Sequence, residues 1–167
     1  VPIGGNFDGD EAGVVSICVF QAGTTNNVIP QTARLAGTIR SLTDKVRDLL
    51  EKRVREIAEG VAALHGASVK LRYTRGYPVT VNHAEQTSFA AGVASEIAGK
   101  DRVNDTLPPM MGAEDFSYML NARPGAFIFV GNGDSAGLHH PAYDFNDSLI
   151  PVGSSYWVRL VEKALAA

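Results

Sequence analysis

The sequence predicts a mixed α/β chain: an α+β half, with one helix laid on an antiparallel sheet, followed by a mainly helical half with one buried strand. Three observations carry this. Residues 14–20 (VVSICVF) and 33–41 (ARLAGTIRS) are β-branched or alternating runs on either side of a polar GTTNN stretch, as in a hairpin with a wide tip. Val46, Leu49, Leu50, Val54, Ile57, Val61 and Leu64 then recur at helical spacing with charges between them. Later, the apolar run 126–130 (AFIFV) leads through a long loop into an amphipathic helix over 151–166.

Each element has its local reason. Residues 1–13, Gly-rich and acidic, read as a linker or junction. Thr43 is a fitting N-cap with Asp44 in the first turn, and Gly66 should stop the helix. Residues 68–73 (SVKLRY) alternate as a third strand, broken by Gly76-Tyr77-Pro78, which gives 14–80 the order β-β-α-β. From 81 to 167 a new composition begins. Asn82 or His83 opens a helix to about Ala98, with Phe89, Val93 and Ile97 along its apolar side; residues 114–120 (EDFSYML) fit a short helix. A lone strand at 126–130 has too few partners for its backbone, so this half is expected to pair with more polypeptide.

Composition narrows the function. A chain of 167 residues, 45% hydrophobic and 20% charged, can bury a core. A net charge of −3 without a dense basic cluster gives no footprint for nucleic acid or an anionic membrane, and no run is long enough to span a bilayer. The single cysteine, Cys18, lies in an apolar strand and reads as a buried small hydrophobe. One cysteine forms no internal disulfide and suits a reducing compartment, and with no signal-like start the expected location is cytoplasmic.

The loop 131–147, GNGDSAGLHHPAYDFND, is where chemistry concentrates. Glycines allow close backbone approach, and the loop delivers His139 and His140 with Asp144 and Asp147. Glu114 and Asp115 add two further acids, or simply favour a helix N-terminus. Asn27 either shapes the hairpin tip or offers an amide donor; Arg40 is either a fork for a carboxylate or a solvated strand-end charge.

The succession GTTNNVIP, GTIRSL, GYPVTVN, MGAEDFSYML, PGAFIFVG and LHHPAYDFND resembles the C-terminal part of the M20 metallopeptidases, among them the amidohydrolases of hippurate and other N-acyl amino acids. The resemblance implies that 14–80 is a two-layer lid or dimerisation domain, incomplete here, and that 81–167 is the C-terminal portion of an α/β phosphorylase/hydrolase-like zinc-peptidase domain. It implies a site of two divalent ions, Zn or Mn, with His139 as a metal ligand and His140 not one. Asn27 would reach the partner's site in a homodimer and hold the substrate carbonyl, Arg40 would bind substrate, and Glu114 would support the catalytic centre. It also implies a small N-acyl or N-aroyl amino acid as substrate and cleavage of its amide bond by metal-activated water. The other ligand motifs of the family, of the CGHD, paired-glutamate and His-Ala-Ala types, do not occur in this sequence, so the expectation is a portion of a longer enzyme, inactive alone. Two alternatives stay open: a non-catalytic dimerisation or binding module, and metal-free hydrolysis by His139 with Asp144 or Asp147.

Overall fold

The computed structural model describes residues 11–166, so the reading of 1–13 as a junction falls mostly outside the described residues. The described residues divide into two compact units, one of residues 11–79 with 108–115, the other of 80–107 with 116–166.

In the first unit, β1 (Gly13–Ala22) and β2 (Ala33–Ser41) form an antiparallel two-stranded sheet, as the alternating runs predict. Val15 of β1 packs with Val46 and Leu50 of α1 (Asp44–Leu64), and Ile39 and Val54 extend this small core. The helix begins where the sequence places it, because the Thr43 side chain accepts the Val46 N–H at 3.2 Å and satisfies one of the four amides left open by the first turn. Thr43→Ala should therefore lower stability by about 1 kcal/mol and Thr43→Ser by much less, measured as the shift in urea midpoint. Gly66, at φ 66°, takes the left-handed turn that ends the helix.

Two expectations for this unit are corrected. Residues 68–73 form no strand; the sheet is two-stranded, and an extended segment becomes a strand only with a partner ladder. Their alternation survives in burial, Leu71 and Tyr73 being half-buried between exposed neighbours. The segment is instead tied to α1. Arg75 pairs with Asp48 at 2.6 Å and Glu51 at 2.7 Å, and Arg47 donates to the Gly76 carbonyl at 2.8 Å. Hydrogen bonds to those carboxylates, Glu51 first, hold the Arg75 guanidinium pKa above its ordinary value. Cys18 is exposed. The register slips between Ile17 and Val19, which pair with Gly37 and Ala36, so Cys18 is the extra residue of a bulge and is turned away from the core.

In the second unit, α2 (Ala84–Ala98) and α4 (Leu149–Leu165) pack together, burying Ala90, Val93 and Tyr156; Ser117 and Leu120 of the short α3 (Phe116–Ala122) are also buried. Glu96 of α2 joins α4 through Arg159 at 2.8 Å and through Lys163, and these bonds, Lys163 foremost, depress the Glu96 carboxyl pKa.

The run 126–130 is not a strand, and Phe129 and Val130 are more than half exposed. No neighbouring strand flanks it among the described residues. Its backbone is met by side chains: Asn82 donates to the Phe127 carbonyl at 2.8 Å and accepts the Phe127 N–H at 2.7 Å. His83 continues the clamp, its N–H donating to the Gly125 carbonyl at 3.0 Å and its Nδ1 accepting the Gly125 N–H at 3.2 Å. The side chain of the α2 N-cap is thus used for tertiary bonding, while its carbonyl accepts the Thr87 N–H of its own helix at 2.9 Å, and the Phe127 ring packs against Phe116 and Phe129 at 5.6 and 5.2 Å.

Candidate functional site

The loop 131–147 is organised by Asn132, a residue that no sequence motif marks out. Its Oδ1 accepts the Asn146 N–H at 2.8 Å, and its Nδ2 donates to the Asp144 carbonyl at 2.7 Å and to Ser135 Oγ at 2.8 Å. One amide thereby closes the base of the loop. Asn146 carries the chain into α4 by accepting from the Ser148 hydroxyl and N–H at 2.7 and 3.1 Å. An open, mostly polar cleft of about 610 Å³ lies against this base, lined by Asn132, Asp134, Asp144 and Asp147 among others. The signal for this scaffold in the sequence is weak, since Asn-Gly and Asn-Asp pairs mark a turn but not which amide bridges to which carbonyl.

His139 and His140 stand at the apex, both exposed. His139 has φ 67°, and it is the residue other than glycine with positive φ among those described. A β-carbon makes that conformation costly, by roughly 1–2 kcal/mol, so the local structure must impose it. Neither ring nitrogen of His139 is hydrogen-bonded among the described residues, and none joins it to Asp144 or Asp147, which removes the support for metal-free acid–base catalysis by that pair. His140 is bound differently: its Nδ1 accepts the Ala142 N–H at 3.1 Å.

Among the described residues no three His, Cys, Asp or Glu side chains converge to hold a metal ion. A catalytic zinc takes about three protein donors. His139, exposed with both ring nitrogens free, fits one donor position of such a centre and no more.

The other predicted residues lie in the first unit. Asn27 is exposed in the hairpin tip, where the Thr25 hydroxyl donates to its Oδ1 at 2.8 Å. That bond fixes the amide so that its NH2 is unused by any described residue. Thr25 and its neighbours also border a small open hollow, lined by Gly23, Thr24, Val28, Pro30 and Thr32. Arg40 is half-buried at the far end of β2, opposite Val14, with no carboxylate partner among the described residues. The strand from Ala33 to Arg40 is roughly 23 Å long at ~3.3 Å per residue, and Asn27 lies beyond its other end. Asn27 and Arg40 thus stand towards opposite ends of the hairpin. Glu114 is half-buried and Asp115 exposed; α3 starts after them at Phe116, so they precede the short helix expected over 114–120 instead of lying within it.

Residues 4–163 match the sequence profile described as Peptidase family M20/M25/M40. The chain is 33% identical over 160 residues to the hippurate hydrolase of Campylobacter jejuni, covering 96% of this chain and 42% of that protein. It is 42% identical over 149 residues to the N-acetyldiaminopimelate deacetylase of Streptococcus thermophilus, covering 87% of this chain and 38% of that one. In three dimensions it matches Bacillus subtilis YXEP protein, described as a dinuclear metal binding peptidase from the M20 family, with a TM-score of 0.78 and 31% identity over 92% of this chain and 42% of that one. The chain thus spans about two fifths of the length of the curated relatives it matches.

Proposed function

Because the chain belongs to peptidase family M20/M25/M40, we infer that it carries part of a metal-dependent amidohydrolase that cleaves the amide bond of N-acyl or N-aroyl amino acids. The observation that carries this reading is His139, exposed, held at φ 67° and free at both ring nitrogens within the LHHPAYDFND loop. A pair of divalent ions in such a centre would supply a nucleophilic water and polarise the scissile carbonyl. His139 would hold one of these ions, Zn or Mn, and the remaining donors would come from outside the described residues.

Residues of the first unit act on the substrate. The Asn27 amide donates to the carbonyl oxygen as negative charge develops there, Arg40 meets the substrate carboxylate as a planar fork, and Glu114 supports the catalytic centre. The separation of Asn27 from Arg40 favours a homodimer in which the two residues serve one substrate from different protomers. Ile17, Phe20 and Leu35, all more than half exposed on the two-stranded sheet, are the kind of surface such pairing through the lid would cover. On this reading 14–80 is the lid, 81–167 the C-terminal portion of the catalytic domain, and the location cytoplasmic, as an exposed free thiol at Cys18 suits. No helix among the described residues is long and apolar enough to cross a membrane.

The test is His139→Ala in the complete protein, with bound metal measured directly and release of free amino acid followed in parallel. Metal affinity should fall by more than the ~10–100-fold that loss of an outer hydrogen-bond partner costs, and a chelator should silence the parent. Unchanged metal content would overturn the assignment.

A further inference from the structure

We propose that His140 is the positioning residue for His139: its imidazole closes the next turn, over 140–142, and so anchors the end of the Gly137–His140 turn that holds His139 in the left-handed conformation. The inference rests on His139 being a metal donor, and it concerns what aims that donor.

His139 makes no hydrogen bond of its own among the described residues, by backbone or ring, while its neighbour is bonded through every polar group but one. The His140 N–H donates to the Gly137 carbonyl at 3.1 Å, its carbonyl accepts the Tyr143 N–H at 2.9 Å, and its Nδ1 accepts the Ala142 N–H at 3.1 Å. The intervening residue is Pro141, which has no N–H, so Ala142 offers the first amide the ring can take. An acceptor at Nδ1 places the ring proton on Nε2 and fixes both tautomer and ring plane. A side chain accepting from the amide two residues on is also what asparagine does in an Asx turn. Asparagine at 140 can therefore reproduce the bond, whereas alanine or leucine cannot. Without it, the amide of Ala142 loses its partner, the 140–142 turn relaxes, and the Gly137–His140 turn is left held by its backbone bond alone, so that His139 can leave a conformation that its β-carbon disfavours.

The experiment compares His140→Ala, His140→Asn and His139→Ala in the complete protein. Affinity for Zn²⁺ is measured by competition with a chromophoric chelator, and folding is checked by circular dichroism. His140→Ala should bind Zn²⁺ about 10–100-fold more weakly, and His140→Asn should recover most of that loss. If alanine prevents folding, His140→Leu replaces it, with bulk but no acceptor. Should His139→Ala lose the metal while His140→Ala keeps it, the positioning role is overturned and the donor assignment stands. Should asparagine fall as far as alanine, accepting from Ala142 is not what the ring does, and the proposal fails. Should His139→Ala retain full affinity, the donor assignment itself is wrong and the proposal goes with it.

Discussion

Alanine at position 37 is expected to cost roughly 3 kcal/mol or more of stability, the largest effect of any single methyl group added to the first unit. A Cβ built on Gly37 would lie 1.9 Å from the Ser16 carbonyl oxygen and 2.9 Å from the Ile17 Cα. Both are backbone atoms of the paired strand, so no rotamer change relieves the clash. The two strands must separate at the place where the ladder already shifts between Ile17 and Val19. Separation there would pull Val15 and Ile39 off Val46 and Leu50, and with them the small core of this unit. Gly60→Ala is the matched control. It adds the same methyl inside α1, where nothing lies within 4 Å, and should be neutral or stabilising by up to ~1 kcal/mol. Urea unfolding of the two variants separates the cases, and equal midpoints would show that the hairpin tolerates a side chain at Gly37.

What could be seen in the sequence follows from where the information lies. The helix α1 is local: Thr43, Asp44 and the spacing from Val46 to Leu64 specify a start and a buried face without reference to the rest of the chain. The hairpin is nearly so, since two alternating runs need only each other. Residues 68–73 and 126–130 look like strands for the same reasons, yet strand formation depends on a neighbour's backbone, which no run carries in itself. Cys18 reads as buried in the sequence and is exposed in the structure because a bulge changes which side chains face inward and leaves the composition of the run untouched. In the loop, a histidine pair is visible but its division of labour is not: the positive φ of His139 and the acceptor role of His140 appear only once the turn is built. Asn27 and Arg40 stand out through family resemblance, and their separation by the hairpin's length appears only in the structure.

That length makes Asn27 the sharper test of mechanism. If its NH2 donates to the oxyanion, Asn27→Ala in the complete enzyme should lower kcat about 10²–10³-fold with little change in KM, as for loss of one donor used mainly in the transition state. A turn-shaping role predicts differently, and Asn27→Asp separates the two. Aspartate keeps an oxygen for the Thr25 hydroxyl, which now donates at 2.8 Å, but replaces the donating NH2 with an acceptor. A lost donor makes aspartate as poor as alanine or worse; a lost turn contact leaves aspartate close to the parent. Mixing then locates the residue. In a heterodimer of Asn27→Ala with His139→Ala, a shared site receives His139 from the first protomer and Asn27 from the second, so activity returns on exchanging subunits. Asparagine acting within its own protomer would leave every site lacking one of the two, and the mixture would stay as inactive as its components.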